Sequence, residues 1–409
     1  MPDPSPATRT ADPALGHTVG SPGSPGSPAS LRAANQRRVV ALLQQGGDAP
    51  VSQADIARTT GLAPATVSNI VRDLAAAGLV ETTVGSGRRG TTVRISRDAG
   101  LVVGIDFGHR HVRVALGDLG GQVLDVDREP LAADHAHGEG LDLASSLIDR
   151  LLERNAATRS SIVNIGLGLP TPLAEDGTVM TAAILPGWVG VNAQRAAEER
   201  FGRPTHVDND ANLGALAEHR RGAGRGHANM VFVKVSSGVG AGLIVDGRLF
   251  RGAHGTAGEI GHHTIDEQGP FCRCGSRGCL EAYASVGMAQ TALAEQFPDA
   301  GIDQLVTAAL EGNVSVLRMF EDAGLHLGWG LAMLANLIDP SAVIVGGDMS
   351  RAGDLLLDSV RVGLRRHALA SVSATTKVTG AGLGDRASVI GALMLAVDRT
   401  ELVPAGGVS

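Results

Sequence analysis

The feature that most constrains this chain is an alternation of strand-like and helix-like segments, which begins at Leu101 and runs for roughly 300 residues. It opens with three short apolar runs joined by glycine-rich turns, and further runs then alternate with helical patterns. Strands that alternate with helices predict an α/β architecture with parallel strand pairing. A second strand-rich opening near residue 230 resembles the first, and this repetition predicts two related lobes.

Composition divides the chain into four segments. Residues 1–30 contain mainly Pro, Ser, Gly and Ala, which bury too little apolar surface to fold, so we expect a disordered tail. Residues 31–97 carry helix and hairpin patterns, residues 98–399 carry the alternating pattern, and residues 400–409 form a second short tail. We therefore expect a small N-terminal domain followed by a large α/β domain.

Charge is distributed unevenly between these two domains. Residues 1–97 hold ten basic and six acidic residues, a net charge of +4. The rest of the chain holds 25 basic and 36 acidic residues, a net charge of −11, which gives −7 for the whole. A small basic domain attached to a large acidic one indicates DNA binding combined with a separate second function.

Two further features predict a cytoplasmic location. The sequence contains no run of 18 apolar residues and no cleavable leader pattern, so we expect neither a membrane span nor secretion. Its three cysteines fall within eight residues, which is too close for a disulfide framework and is typical of a reducing compartment.

The segment 31–97 has the pattern of a winged helix-turn-helix. Ser52 starts one helix with a capping-box-like pattern, Gly61 marks a turn, and Pro64 suits the first turn of a second helix. Apolar residues recur along the second helix at i, i+3, i+4 and i+7, namely Val67, Ile70, Val71 and Leu74. A hairpin pattern with a glycine-rich tip follows. These features predict a DNA-binding domain, and a small helical bundle for protein contacts is the alternative.

The apolar face assigned to the second helix leaves a small and polar face for DNA. This face contains Ala65, Thr66, Ser68, Asn69 and Arg72. Asn and Arg side chains can bond to base edges in the major groove, whereas hydroxyl groups suit phosphates equally well. At the hairpin tip, Arg88 and Arg89 are expected to contact a flanking minor groove or the DNA backbone.

The cysteines predict a metal site. Cys272, Cys274 and Cys279 supply three thiolates, and tetrahedral zinc requires a fourth ligand. His262 is the nearest plausible donor, and His263 is its rival. Four protein ligands leave no open position for water, so we predict one structural zinc ion per chain. Three unrelated buried thiols are the alternative.

Several motifs in the large domain resemble those of the ROK family, which groups sugar-responsive repressors with sugar kinases. They are DFG at 106–108, VDNDAN at 207–212, the glycine-rich stretch at 236–263 and CRCGSRGCLE at 272–281. The resemblance covers roughly residues 31–398. It implies an actin-like ATPase (ribonuclease H-like) fold of two lobes with a sugar in the cleft and a zinc loop at 262–279. It also implies an N-terminal winged helix, which the repressor branch of the family carries.

The resemblance further implies which side chains hold the sugar. The matching residues here are Asn209, Asp210, Glu259, His262 and Glu281. Sugar hydroxyls both donate and accept hydrogen bonds, so carboxylates and an amide in a cleft can select their stereochemistry. His262 would bind zinc through one ring nitrogen and a sugar hydroxyl through the other.

The loops that hold phosphate in the family's kinases are altered in this chain. His109 and Arg110 follow the first loop, where the kinases have Gly-Thr, and Ser236-Ser237 replace the Gly-Thr of the second loop. Bulky side chains would occupy space that backbone amides need to bind phosphate. We therefore predict no catalytic turnover, although Asp210, the equivalent of the kinase general base, is present.

Together these patterns predict a sugar-responsive transcriptional regulator in a bacterial, nucleoid-associated setting. We expect a homo-oligomer, dimeric or tetrameric, on a palindromic operator of carbohydrate uptake or catabolism genes, released by a sugar or sugar derivative. A sugar kinase with an added DNA-binding domain is the main alternative, and a ligand-independent DNA-binding scaffold is a third. The sugar, the operator sequence and the choice between repression and activation remain open at this stage.

Overall fold

The computed structural model describes residues 28–46, 49–84, 90–133, 135–180 and 184–402. Helix α1 begins at Pro28, so the predicted tail at 1–30 is three residues too long, and the rest of it lies outside the described residues. At the other end, Leu402 is buried, although it falls in the predicted tail at 400–409. It packs with apolar side chains of α1, and this contact could not be predicted from the tail sequence.

The N-terminal domain is a winged helix-turn-helix, as predicted. Its sheet is antiparallel with the order β1-β3-β2. The elements are α1 (Pro28–Gly46), β1 (Val51–Ser52), α2 (Gln53–Thr60), α3 (Pro64–Ala76), β2 (Val80–Val84) and β3 (Thr91–Ile95).

Local chemistry explains the two central helices. The Ser52 hydroxyl accepts the Asp55 N–H at 3.0 Å at the start of α2, and Gly61 ends this helix with a left-handed φ of 68°. Pro64 occupies the first turn of α3, where its missing N–H costs nothing. The four apolar residues predicted for the inner face of α3 are all buried.

The first lobe of the large domain follows directly. Its sheet has the order β6-β5-β4-β7-β8, in which β4, β5 and β6 are antiparallel and β7 and β8 pair in parallel. The elements are β4 (Leu101–Phe107), β5 (His111–Asp118), β6 (Val123–Pro130), α4 (His137–Arg154), β7 (Ile162–Leu169), α5 (Ala193–Phe201) and β8 (Thr205–Asn209).

The second lobe repeats this plan with the order β11-β10-β9-β12-β13 and the same mixture of antiparallel and parallel pairs. Its strands are β9 (Met230–Val235), β10 (Val239–Val245), β11 (Arg248–Phe250), β12 (Ala342–Gly346) and β13 (Lys377–Gly380). Its helices are α6 (Asp210–Arg221), α7 (Glu281–Ala284), α8 (Val286–Ala292), α9 (Ile302–Leu310), α10 (Val314–Ile338), α11 (Asp354–His367) and α12 (Ala370–Thr375), whereas the last helix, α13 (Ala387–Asp398), packs on the sheet of the first lobe. The predicted pair of related lobes is therefore confirmed. No described helix is long and apolar enough to cross a membrane.

Helices α6 and α13 pack against each other where the two lobes meet. Gly391 of α13 lies against the backbone of Leu213 in α6, so closely that any Cβ there would overlap the Leu213 carbonyl oxygen. Gly166 of β7 makes the same kind of approach to the Ala392 carbonyl. Small residues at these positions allow the helices and the first sheet to form one buried layer.

Replacing Gly391 with alanine is expected to lower the free energy of unfolding by about 1–3 kcal/mol, because the added methyl group meets backbone that cannot move away. Chemical denaturation of the wild type and the variant measures the difference. Gly138→Ala is a matched control, since Gly138 also lies inside a helix and no heavy atom lies within 4 Å of the added carbon. Equal losses in the two variants would contradict this packing argument.

Candidate functional site

The exposed face of α3 presents the predicted DNA-contacting residues. Ala65, Ser68, Asn69 and Arg72 are exposed, and Thr66 is half-buried. Within this face, Arg72 donates to the Asn69 side-chain oxygen at 2.8 Å, so the two side chains that are predicted to contact base edges lie together. Ser68 donates to the side chain of a residue in α2 at 2.9 Å. The predicted wing-tip residues lie outside the described residues.

The acceptor in α2 is Gln53, a residue that the sequence analysis did not single out. It is the first residue of α2 and is half-buried beside the exposed face of α3. Glutamine can bond adenine edges or phosphates, so we add it to the candidate DNA-contacting residues. The sequence did contain one sign of this role. Gln53 directly follows the Ser52 cap, at the end of α2 from which its side chain reaches Ser68 of α3.

The five predicted sugar-binding residues line one cleft between the lobes. They reach it from three places: the corner where β8 meets α6, a short 3-10 helix after β11, and the start of α7. The side chains are those of Asn209, Asp210, Glu259, His262 and Glu281.

Local capping fixes the β8–α6 corner. The Asn209 side-chain oxygen accepts the N–H of Ala211 at 2.9 Å and so caps α6. Its amide nitrogen donates to the Thr171 carbonyl at 3.4 Å. Asp210 therefore begins a helix with its carboxylate directed into the cleft, where it is almost fully buried.

Lys234 of β9 forms an ion pair with Asp210. The Nζ atom lies 2.7 Å from Asp210 Oδ2 and 3.2 Å from the Ser388 hydroxyl. Burial by itself would lower the pKa of Lys234, but the charges of Asp210 and Asp106 outweigh it and raise that pKa. The ammonium group therefore stays charged and holds the carboxylate of Asp210 by an ion pair.

Three carboxylates approach one another at the base of the cleft. Burial raises the pKa of Glu259 to about 7, and the charges of Asp210 and Glu281 add to this effect. Glu281 is buried and accepts the Val239 N–H at 3.1 Å and the Arg273 Nε–H at 2.7 Å. The cleft thus offers hydrogen-bond acceptors together with a carboxyl group that can carry a proton near neutral pH.

Two buried oxygen atoms at this cleft have no hydrogen-bond partner among the described residues. They are the Thr171 hydroxyl, beside the predicted sugar ligands, and Oδ1 of Asp106, in the adjoining space of about 530 Å³. A buried polar atom without a partner costs free energy, so both oxygens are placed to pair with water or with a polar ligand in the cleft.

The two loops that the sequence analysis compared with phosphate-binding loops line the adjoining space, where internal contacts hold them. The Ser236 hydroxyl accepts the Asp348 N–H at 3.0 Å, and the Ser237 carbonyl accepts a hydrogen bond from Arg273. His109 is half-buried next to the Ile184 carbonyl, and burial lowers its pKa. These side chains fill part of the region between the lobes.

Four side chains form a cluster that can hold a metal ion, with ligand atoms all within 4.8 Å of one another: His262, Cys272, Cys274 and Cys279. Cys272 Sγ lies 3.8 Å from His262 Nδ1, and Cys274 Sγ lies 3.7 Å from Cys279 Sγ. A tetrahedron with metal–sulfur bonds of about 2.3 Å has edges of about 3.8 Å, so the donors fit a single ion. His263, the rival ligand, is exposed and lies outside the cluster.

His262 links the metal cluster to the cleft. Its Nδ1 faces the Cys272 sulfur, while its Nε2 lies 3.9 Å from Glu259 Oε2 on the cleft side. One ring nitrogen is thus available to a metal and the other to a ligand, which is the arrangement that the sequence analysis anticipated for this residue.

With this geometry in place, comparison with known proteins identifies the family. The ROK family profile matches residues 102–399, and a MarR family profile matches residues 32–90. The chain belongs to the ROK family. Its fold is the two-lobed, actin-like fold that the resemblance implied, preceded by a MarR-like winged helix.

Other ROK proteins include both regulators and kinases. A xylose repressor from Caldicellulosiruptor bescii is 30% identical over 367 residues, which cover 85% of this chain and 92% of the repressor. A crystal structure of a ROK transcriptional regulator, a homologue of Escherichia coli Mlc, matches with a TM-score of 0.73 at 26% identity and covers 89% of this chain and 96% of the regulator. A ROK glucokinase from Streptomyces griseus, solved with glucose and AMPPNP, matches with a TM-score of 0.62 at 30% identity and covers 73% of this chain and all of the kinase.

Three residues of the ROK cleft were missed by the sequence analysis. Thr171, Lys234 and Arg273 line it together with the predicted ligands. Thr171 lies just after the buried strand β7, a position from which side chains often reach a site in α/β folds. Lys234 could also have been noticed, because it is the only charged residue in the apolar strand β9. A charge in such a strand needs a partner, which indicates an ion pair or a site.

Proposed function

We propose that this protein is a sugar-responsive DNA-binding transcriptional regulator, acting as a repressor of carbohydrate uptake or catabolism genes. The single observation that carries the proposal is that one chain combines a winged helix, with a polar exposed face on α3, and a cleft lined by five residues suited to sugar hydroxyls. The repressor and regulator relatives, which share both parts of the chain, support it. Thr171 would supply a further hydroxyl contact to the sugar.

We further propose that this regulator has no enzymatic activity. Lys234 holds the carboxylate of Asp210, and His109 and Arg110 line the space where the phosphates of a nucleotide would have to lie. The retained Asp210 and the glucokinase relative favour the second candidate, a sugar kinase with an added DNA-binding domain. Production of ADP in the presence of sugars would distinguish the kinase from the regulator.

We propose that the metal is zinc, one ion per chain, with a structural role. Three sulfur atoms and one imidazole nitrogen are donors that zinc prefers, and four protein ligands leave no position for a reacting water. Zinc would fix the conformation of the loop. It would thereby hold two residues that line the cleft: His262, whose second ring nitrogen faces it, and Glu281, which comes two residues after the last cysteine.

Regulation requires that the sugar bind two states of the protein differently. We propose a dimer or tetramer that places winged helices on a palindromic operator in the bacterial cytoplasm, near the nucleoid. Closure of the lobes on a sugar would then change the spacing of the two α3 helices. A hundredfold preference of the sugar for the closed state is worth about 2.7 kcal/mol, which is enough to release many operators.

Fluorescence anisotropy with DNA from the protein's own promoter region, titrated with a panel of sugars, tests this function. We expect tight, salt-sensitive binding that one sugar or sugar derivative reverses, because only the matching stereochemistry satisfies the carboxylates of the cleft. Tight binding that no sugar affects would support a ligand-independent scaffold instead. Absence of DNA binding together with sugar-dependent ADP production would favour the kinase.

A further inference from the structure

A groove lined with arginine lies where the end of α6, the β10–β11 hairpin and the end of α13 come together. It encloses about 820 Å³ and is separate from the sugar cleft and from the metal cluster. Its charged lining consists of Arg220, Arg225, Arg248, Arg251, Arg399 and Asp398. These side chains come from distant parts of the sequence, so only the folded chain brings them together.

Two of these arginines are neutralised within the protein. Arg220 bonds to both carboxylate oxygens of Asp398, at 2.8 and 2.7 Å. Arg251 lies 2.7 Å from Asp208, a buried carboxylate just before the sugar-binding corner. Both pairs hold side chains in place along the wall of the groove, and neither guanidinium group is fully available to a ligand.

The other three arginines are exposed and form no ion pair with any residue that the structure describes: Arg225, Arg248 and Arg399. The domain that carries them has a net charge of −11, so acidic partners are abundant elsewhere on it. Burial and the charge of Arg399 lower the pKa of the neighbouring His206, which is consistent with a positive local potential. The groove is therefore a concentrated cationic surface on an acidic domain.

The groove borders the DNA-binding domain. Gln44 of α1 donates to the Val397 carbonyl at 3.3 Å, and Gln36 of α1 donates to the Leu402 carbonyl at 3.4 Å. Arg399 lies between these two acceptors in the chain. The same short segment thus carries one wall of the groove and the contact that holds the winged helix against the large domain.

We propose that this groove binds the phosphate backbone of operator DNA beyond the bases that α3 reads. The inference rests on the proposed function, since it requires a DNA-binding protein. Guanidinium groups bind phosphate oxygens through paired, charge-assisted hydrogen bonds, and they do so without regard to sequence. Duplex DNA carries about one charge per 1.7 Å of its axis, so a duplex that extends from α3 past α1, which adjoins the groove through Gln44 and Gln36, would offer phosphates to these guanidinium groups.

The double variant Arg225→Ala, Arg248→Ala tests the proposal. We measure its affinity for a long promoter fragment between about 50 and 200 mM salt. Each lost phosphate contact lowers the slope of log K against log salt by about 0.9, so we expect a decrease of about two per chain. Affinity at the lowest salt should fall about tenfold or more, for operator and non-operator DNA alike.

Three comparisons make the outcome decisive. Arg195→Ala with Arg318→Ala removes the same charge from exposed sites elsewhere on the domain and should leave the slope unchanged. Arg225→Lys with Arg248→Lys should restore most of the slope, because lysine also binds phosphate. On a duplex trimmed to the bases that α3 reads, wild type and the alanine variant should bind equally well. Unchanged thermal unfolding and sugar response would establish that the alanine variant is folded.

Equal slopes for the alanine variant and the distant control would overturn the groove proposal and leave the proposed function intact. Suppose that the slopes are equal and that the wild type binds pyrophosphate, whereas the alanine variant does not. The groove would then be a site for a small anion, and the proposal that it binds DNA would also be overturned. Failure of the wild-type protein to bind any promoter DNA would overturn the proposed function, and this inference with it.

Discussion

Replacing Glu259 with alanine is expected to abolish the response to sugar while operator binding persists. Glu259 lies in the cleft between Asp210 and Glu281, and burial raises its pKa to about 7. A sugar hydroxyl bonded to this carboxyl group loses its partner in the alanine variant. A hydrogen bond to a charged group contributes about 1.5–3 kcal/mol, so sugar affinity should fall roughly tenfold to more than a hundredfold.

Asp210→Asn should have the same effect on the sugar response. This variant also changes stability, because the buried ammonium of Lys234 loses the carboxylate oxygen that lies 2.7 Å away. Breaking a buried ion pair on one side costs about 3–5 kcal/mol, so this variant is also expected to unfold more easily. Among the described residues, Glu259 pairs only with His262, at 3.9 Å and partly exposed, so replacing it costs less stability than breaking the buried Lys234 pair and separates sugar recognition from stability more cleanly.

Anisotropy measurements with the promoter fragment, with and without the effective sugar, report both quantities. Glu295→Gln changes an exposed glutamate of the same lobe and serves as the control for the altered charge. If a Glu259 variant lost sugar response and DNA binding together, while its unfolding midpoint stayed at the wild-type value, the two functions would not be divided between the two domains as we propose.

Removal of the metal is expected to have the second large effect. Cys279 is fully buried, and its sulfur lies 3.7 Å from that of Cys274. Cys279→Ser should therefore eliminate the bound zinc, of which we expect about one per chain in the wild type. Structural zinc contributes about 10–16 kcal/mol of binding free energy in small peptides, so we expect a loss of stability of several kcal/mol at this loop.

The sugar response should be lost as well, because Glu281 follows the last cysteine by two residues and His262 belongs to both sites. Metal analysis, thermal unfolding and sugar titration of the same preparations test this coupling. His263→Ala is the matched control, since His263 is exposed and lies outside the cluster. A wild-type protein that contains no metal, yet unfolds cooperatively and responds to sugar, would contradict the structural site.

The extent to which the sequence predicted the protein depends on the range of the contacts involved. The Ser52 cap of α2 joins residues three positions apart, and Pro64 favours the start of α3 through its own ring, so these two residues predicted the helices correctly. The three cysteines, and likewise Asn209 and Asp210, lie close together in the sequence. Their candidate sites could therefore be predicted from short motifs. The likeness of the two lobes was visible because each repeats the same succession of strands.

The sequence left open which of two histidines joins the three cysteines, and side-chain direction distinguishes them. His262 and His263 are adjacent and chemically identical, but only His262 points toward the thiols. Pro28 begins a helix although the residues before it gave no apolar pattern, because α1 gains packing partners from the far end of the chain, including Leu402. Such partners are separated from α1 by hundreds of residues, and no local pattern records them.

The sequence by itself determined the two domains, the α/β architecture, the position of the second helix of the helix-turn-helix and the residue types of the candidate sugar and metal sites. The tertiary structure alone decided that Lys234 neutralises Asp210, that Arg273 bonds to Glu281 and that five arginines share one groove beside the winged helix. The physical reason is that periodicity, capping and motif spacing act over a few residues along the chain. Ion pairing and burial depend on proximity in space, which the packing of α6 and α13 between the lobes creates.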